Sequence, residues 1–278
     1  MELWFTEKHT KNLGIKLKIK TALFHGKSEY QVIDVLDTFE FGRMLLLDGL
    51  VMITERDEFV YHEMITHTPI CVHPNPSNIL VIGGGDGGTI REILRHSEVK
   101  KVDLVEIDKM VIEKSMEFFP NVSSKLKDPK VDIIVKDGIE YIKKHRNEYD
   151  IVIIDSTDPI GPGEGLVRKE FYESVFDSLK EGGIMVAQTE SPFISGNLVA
   201  NIFKNIKAVF PIAKMYTAFI PTYPSGYWSF SFGSKKYDPI EDFNQKRAGD
   251  IQTQLKYYNS GIHKASFALP NFVQKLCS

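Results

Sequence analysis

The chain has 278 residues, 34 Lys+Arg against 37 Asp+Glu for a formal net charge of −3, and 42 % hydrophobic and 26 % charged residues. Those proportions suit a globular protein of one large domain, or a large and a small one, and offer no basic field for nucleic acid. No apolar run exceeds four residues, so neither a membrane span nor a signal-peptide core is expected. Two cysteines, Cys71 and Cys277, lie far apart. That spacing excludes a disulfide scaffold or a cysteine-rich zinc site and fits a reducing cytoplasm. His62-Glu63 with His67 resembles a zincin motif, but the second histidine falls at i+5 and leaves the first one's helical face, so no metal site is expected.

Met1 to Lys11 is mixed polar and charged, whereas Leu17 to Thr54 is strand-like. Strands are predicted at Tyr30–Leu36 and Phe39–Leu47, with turns at His25-Gly26-Lys27, Asp37-Thr38 and Asp48-Gly49. This is a small antiparallel β domain, residues 1–56, with no flexible linker to residues 57–278. A helix follows from Asp57 to Thr66, stopped by Pro69. From Asn78 onward, short apolar runs alternate with helical periodicity. Strands are expected at Ile79–Ile82, Val102–Ile107, Val131–Val135, Ile151–Asp155 and Ile184–Gln188. Helical faces are carried by Ile90, Ile93 and Leu94, by Lys109–Phe119, by Phe171, Val175 and Leu179, and by Leu198, Val199, Ile202, Ile206 and Val209. Two last strands, Ala213–Ile220 and Trp228–Phe232, are joined too tightly for anything but an antiparallel hairpin. The fold class is α/β, a mainly parallel methyltransferase-type Rossmann sheet.

Gly83-Gly84-Gly85-Asp86-Gly87-Gly88 lies between a strand and a helix, and Glu106 ends the next strand about 20 residues on, where an acid binds ribose. Asp86 decides the kind of nucleoside. A pyrophosphate in this turn would meet its carboxylate, and two unit charges ~4 Å apart cost about 4 kcal/mol at an effective dielectric near 20. Helix capping by Asp86 is the plainer alternative, but it leaves the repulsion in place. The ligand is therefore neutral or cationic, as a sulfonium nucleoside is. Acids close four consecutive strands: Asp86, Glu106, Asp137 and Asp155. Open α/β sheets bind ligands at these ends, so the cleft is expected to be negative and its substrate cationic.

These residues resemble the aminopropyltransferase family over nearly the whole chain. The resemblance is carried by Trp4-Phe5, Tyr30-Gln31, Leu47-Asp48-Gly49, the run Thr54 to Met64, His73-Pro74-Asn75-Pro76 and the GGGDGG turn. It continues through Glu106-Ile107-Asp108, Asp137-Gly138, DSTDPIGP from Asp155 to Pro162, Ile220 to Gly226, and Leu255 to Asn259. Ordinary methyltransferases commonly place an acid where this chain has Val81, and usually lack the one at Asp86. The resemblance implies aminopropyl transfer from decarboxylated S-adenosylmethionine, a co-substrate and not a prosthetic group, to putrescine, without a metal and in a homodimer or homotetramer. By resemblance, Gln31 and Glu106 hold the ribose side, and Asp137, Gly138 and Pro162 frame the adenine. Asp86 receives the donor's propylammonium. His62 and Asp158 help hold the polyamine, beside Ser156 and Thr157, with Tyr61, Gln188 and Tyr223 as further amine contacts. Asp155 matches the family's proton acceptor.

The chemistry agrees with that reading. A primary amine with a pKa near 10.4 is protonated at neutral pH and needs a carboxylate to take its proton before it can attack. Two prolines and three glycines between Thr157 and Arg168 suggest either a lid over bound amine or an ordinary crossover. Val167 stands where the commoner family form has phenylalanine. Other readings are an aminopropyltransferase for cadaverine, agmatine or spermidine, an S-adenosylmethionine-dependent amine N-methyltransferase, and a non-catalytic polyamine sensor.

Overall fold

A computed structural model describes residues 2–157 and 161–278. The N-terminal sheet has the order β1-β2-β3-β4-β5, every pair antiparallel. Its strands are β1 (Leu3–Lys8), β2 (Gly14–Lys27), β3 (Val32–Thr38), β4 (Arg43–Leu47) and β5 (Leu50–Thr54). The expected β module is present, with three corrections, the first being that the turn expected at His25-Gly26-Lys27 lies within β2, which runs to Lys27. Leu3–Lys8, within the mixed N-terminal stretch, is a strand, an edge paired with β2 on one side only. The β3–β4 turn falls at Phe39–Gly42 and not at Asp37-Thr38. There the Thr38 hydroxyl accepts from the Phe41 N–H and donates to the Gly42 carbonyl, which carries the strand through Thr38.

Helix α1 (Glu58–Ile70) follows directly. It runs past Thr66 and contains Pro69 in its last turn, where the ring nitrogen cannot donate to the Ile65 carbonyl. Every α1 residue but Phe59 is buried, so no polar face marks it in sequence. The second sheet has the order β11-β12-β10-β9-β6-β7-β8. Its strands are β6 (Asn78–Gly83), β7 (Lys101–Glu106), β8 (Val131–Val135), β9 (Tyr149–Asp155), β10 (Leu179–Gln188), β11 (Ile212–Phe219) and β12 (Tyr227–Ser234). Pairs among β6 to β10 are parallel, and β12 is antiparallel to both neighbours. The hairpin is thus interleaved, β12 lying between β10 and β11.

Helices α2 (Gly88–Ile93), α3 (Lys109–Phe118), α4 (Gly138–Ile142), α5 (Lys169–Ser178) and α6 (Gly196–Lys207) cross between strands, and α7 (Gln245–Ile251), α8 (Ser260–Ser266) and α9 (Asn271–Leu276) close the chain. Leu179, expected on the face of α5, instead opens β10. Strand alternation splits the core into two layers. Ile79, Val81, Ile151 and Ile153 pack with Met64, Ile65, Ile90 and Ile93. Leu80, Ile82, Val152 and Ile154 pack on the opposite side with Val175, Ile202 and Ile206. The N-terminal sheet is fixed to this body by Ile33, Val35, Leu45 and Leu47 against Val111, Phe119 and Val122. The HE…H spacing is dispersed by the same packing: the Glu63 carboxylate accepts the N–H groups of Lys256, Tyr257 and Tyr258, while His67 turns to His96 and Glu92. Among the described residues, no helix is long and apolar enough to cross a membrane.

Candidate functional site

The N-terminal sheet and the carboxyl ends of β6 to β9 enclose a cavity of about 450 Å³, the size of a small-molecule site. Leu45, Leu47 and Met52 line it from one side, Ile82, Val105 and Ile139 from the other. The four strand-end acids Asp86, Glu106, Asp137 and Asp155 all border it, together with Gln31 and Gly138.

Glu106 ends β7 at the cavity wall. Its Oε1 accepts the Asp108 N–H at 2.9 Å and its Oε2 the Gly85 N–H at 3.2 Å. Burial, with the charges of Asp108 and Asp155, outweighs these donors and lifts its pKa to about 7. Asp108 also draws in the N-terminal sheet, accepting from Ser28 Oγ at 2.6 Å and Gln31 Nε2 at 3.0 Å while capping α3 through the Met110 N–H. Gln31 is thereby held beside Glu106 by an acid to which the sequence reading gave no role. Asp137 is exposed and caps α4, accepting the Ile139 N–H at 2.7 Å.

Asp86 both caps a helix and forms an ion pair. Its Oδ1 accepts the Gly88 N–H at 2.7 Å and lies 3.1 Å from His62 Nε2. A Cβ on Gly88 would collide with the His62 ring, so only glycine allows this approach. The other ring nitrogen, Nδ1, is 2.5 Å from Glu58 Oε2, and Arg91 grips that carboxylate with both terminal nitrogens at 3.0 and 2.8 Å. Burial alone would discharge His62; the charges of Asp86 and Glu58 reverse that and carry its pKa to about 10. Although burial works against it, the His62 charge holds the Asp86 carboxyl below its usual range. The cleft is therefore not the unopposed set of acids expected from its motifs, since an imidazolium stands among them. His62, Asp86 and Asp155 bring one atom each within 4.8 Å of one another, but with both ring nitrogens protonated His62 has no lone pair for a cation.

Asp155 ends β9 with both carboxylate oxygens engaged. Tyr61 OH donates to Oδ1 and Thr89 Oγ1 to Oδ2, each at 2.6 Å. Gly84, at φ +69, makes room, because a Cβ there would stand 2.7 Å from Oδ2. Burial and the Asp86 charge raise the Asp155 pKa, while His62 and the two hydroxyls oppose the rise. Ser156, Thr157 and Tyr223 border the cavity next to Asp155. Gln188 adjoins them, its Nε2 donating to the Ser156 carbonyl and its Oε1 accepting the Glu190 N–H. Tyr223 OH donates to the Met52 carbonyl, tying the loop before β12 to the N-terminal sheet. Asp158 and the Pro162 side chain lie outside the described residues; of the expected lid, Gly161–Val167 forms a 3-10 helix whose Gly163 and Leu166 reach the cavity. Sequence reasoning missed Glu58, Thr89 and Arg91. Only Glu58 left a signal, four residues before His62 on one helix face.

The sheet has the methyltransferase-type Rossmann arrangement, and the cleft at its strand ends is acidic and of small-molecule size. Residues 58–245 match the spermine/spermidine synthase domain and residues 3–55 the spermidine synthase tetramerisation domain. The chain is 53 % identical over 275 residues to the polyamine aminopropyltransferase of Bacillus subtilis (strain 168), covering 99 % of each, and 51 % identical over 278 residues to that of Alkaliphilus oremlandii (strain OhILAs), covering 99 % of this chain and 98 % of the relative. It superposes with a TM-score of 0.95 and 44 % identity on spermidine synthase from Thermotoga maritima, and with 0.97 and 45 % on a spermidine synthase in complex with the transition-state analogue AdoDATO, covering 99 % of this chain and 94 % of each structure. The chain belongs to the spermine/spermidine synthase family, the polyamine aminopropyltransferases.

Proposed function

We propose that this protein transfers the aminopropyl group of decarboxylated S-adenosylmethionine to putrescine, giving spermidine and methylthioadenosine. The observation that carries the reading is the placing of Asp86 and Asp155 side by side, with the ribose-type acid Glu106 bordering the same cavity. In this reading Gln31 and Glu106 hold the ribose, and Asp137, Gly138 and Pro162 frame the adenine. The free Oδ2 of Asp86 receives the propylammonium. A donor that kept its carboxylate would face Asp86 with like charge, which disfavours ordinary S-adenosylmethionine. Tyr61, Ser156, Thr157, Asp158, Gln188 and Tyr223 surround the acceptor.

Asp155 takes one proton from the attacking ammonium, leaving a lone pair on nitrogen. That pair forms the N–C bond as the C–S bond breaks, its electrons returning to sulfur as a neutral thioether, and the step needs no metal. Two cations must meet, and the carboxylates offset their repulsion while the cavity fixes the line of attack. We further assign residues 1–56 to an oligomerising β domain and 57–278 to the catalytic domain of a homodimer or homotetramer. Both cysteines are free, in keeping with a reducing cytoplasm, where we place the protein. Asp155→Asn tests the base: turnover should fall by about 10²–10⁴-fold with methylthioadenosine binding and thermal midpoint preserved, whereas near-normal turnover would remove Asp155 from that role.

A further inference from the structure

Thr89 is fully buried in the first turn of α2, and its hydroxyl points at the Asp155 carboxylate. An ionised carboxylate only accepts hydrogen bonds, so Thr89 is the donor of the 2.6 Å contact to Oδ2. Tyr61 OH takes a lone pair of Oδ1 in the same way. One lone pair remains on each oxygen, and the two donors fix the rotation of the carboxylate. Burial is the largest other influence on this group, and the rest are nearby charges. The acids Asp86 and Glu106 face it from the glycine turn and from β7, while His62 on α1 is positive and Tyr61 stands before Tyr223 with ring centroids 5.8 Å apart. In a buried pocket with two further acids, donors to the charged form join the His62 charge in opposing protonation of Asp155.

We propose that Thr89 is a positioning residue for the transfer: its hydroxyl, locked onto Asp155 Oδ2, keeps that carboxylate ionised and aimed at the amine. The inference rests on Asp155 being the proton acceptor. Thr89→Val replaces the hydroxyl by a methyl of similar size, so the helix stays packed while the donor is lost. Thr89→Ser keeps the donor and loses only the methyl.

The test is the pH profile of kcat/KM for both variants, read beside the 13C titration of the Asp155 carboxyl, assigned by its absence in Asp155→Asn. For Thr89→Val, the acid limb and the titration should both move up by about one pH unit or more, a tenfold loss of activity on that limb that recovers on the alkaline side. Thr89→Ser should overlay the wild type. A Thr89→Val profile that overlays the wild type, or is depressed equally at every pH, overturns the proposal. An unmoved titration, with Asp155→Asn inactive, overturns the role of Thr89 and leaves the base assignment standing. Near-normal turnover of Asp155→Asn overturns both.

Discussion

Glu106 and Asp86 are neighbouring acids that titrate in opposite directions, which follows from their partners. Glu106 has two backbone N–H donors but no cation, and burial leaves its pKa near 7. Asp86 has an imidazolium at 3.1 Å. In the proposed reading the ribose hydroxyls donate most strongly to the ionised Glu106 carboxylate, so its protonation competes with nucleoside binding. Methylthioadenosine affinity, measured by calorimetry, should be roughly constant above about pH 7 and fall about tenfold per pH unit well below it. Glu106→Gln should bind weakly at every pH, with that dependence gone; a variant that kept it would exclude Glu106 as the titrating group. The acids were legible in the sequence because each closes a strand. The clamp on His62 was not, because Arg91 reaches Glu58 across 33 positions of chain that only the packing of α2 on α1 brings together.

At the scale of the elements, α1 and α2 form one electrostatic unit in which Glu58, His62 and Asp86 alternate in charge and Arg91 closes the end. The sign of its pH dependence is fixed by His62. The folded state holds the ring's proton up to about pH 10, the unfolded chain only to about 6.5, so between those values the folded state binds more protons. The stabilisation is complete below about pH 6.5 and is lost as pH rises toward 10, on the order of 4 kcal/mol over the interval. Denaturant unfolding of the wild type should follow that slope, and His62→Gln should flatten it; equal slopes would show that His62 is not the group concerned. Strand positions were legible, down to the exposed edge strand β8 at Val131–Val135, because apolar runs bounded by acids and glycines mark the strands of a parallel sheet. Less was legible where tertiary pairing decides. Leu3–Lys8 becomes a strand only by pairing with β2, Leu179 leaves its helical phase to open β10, and the placing of β12 between β10 and β11 has no local signature.

For the whole molecule, the two sheets share the work: the larger supplies the acids and the smaller an apolar wall and Gln31, so neither completes the cavity alone. The smaller also leaves Trp4 and Phe39 more than half exposed, in the segment that matches a tetramerisation domain. Trp4→Glu combined with Phe39→Glu should lower the mass in solution by light scattering, and an unchanged mass would place the subunit contacts elsewhere. The central claim is tested most directly by mass spectrometry of the products formed from putrescine with decarboxylated or ordinary S-adenosylmethionine, without added metal. Spermidine and methylthioadenosine from the decarboxylated donor alone is the predicted result. Methylated amine from the ordinary donor, or a product only with an acceptor other than putrescine, would contradict it.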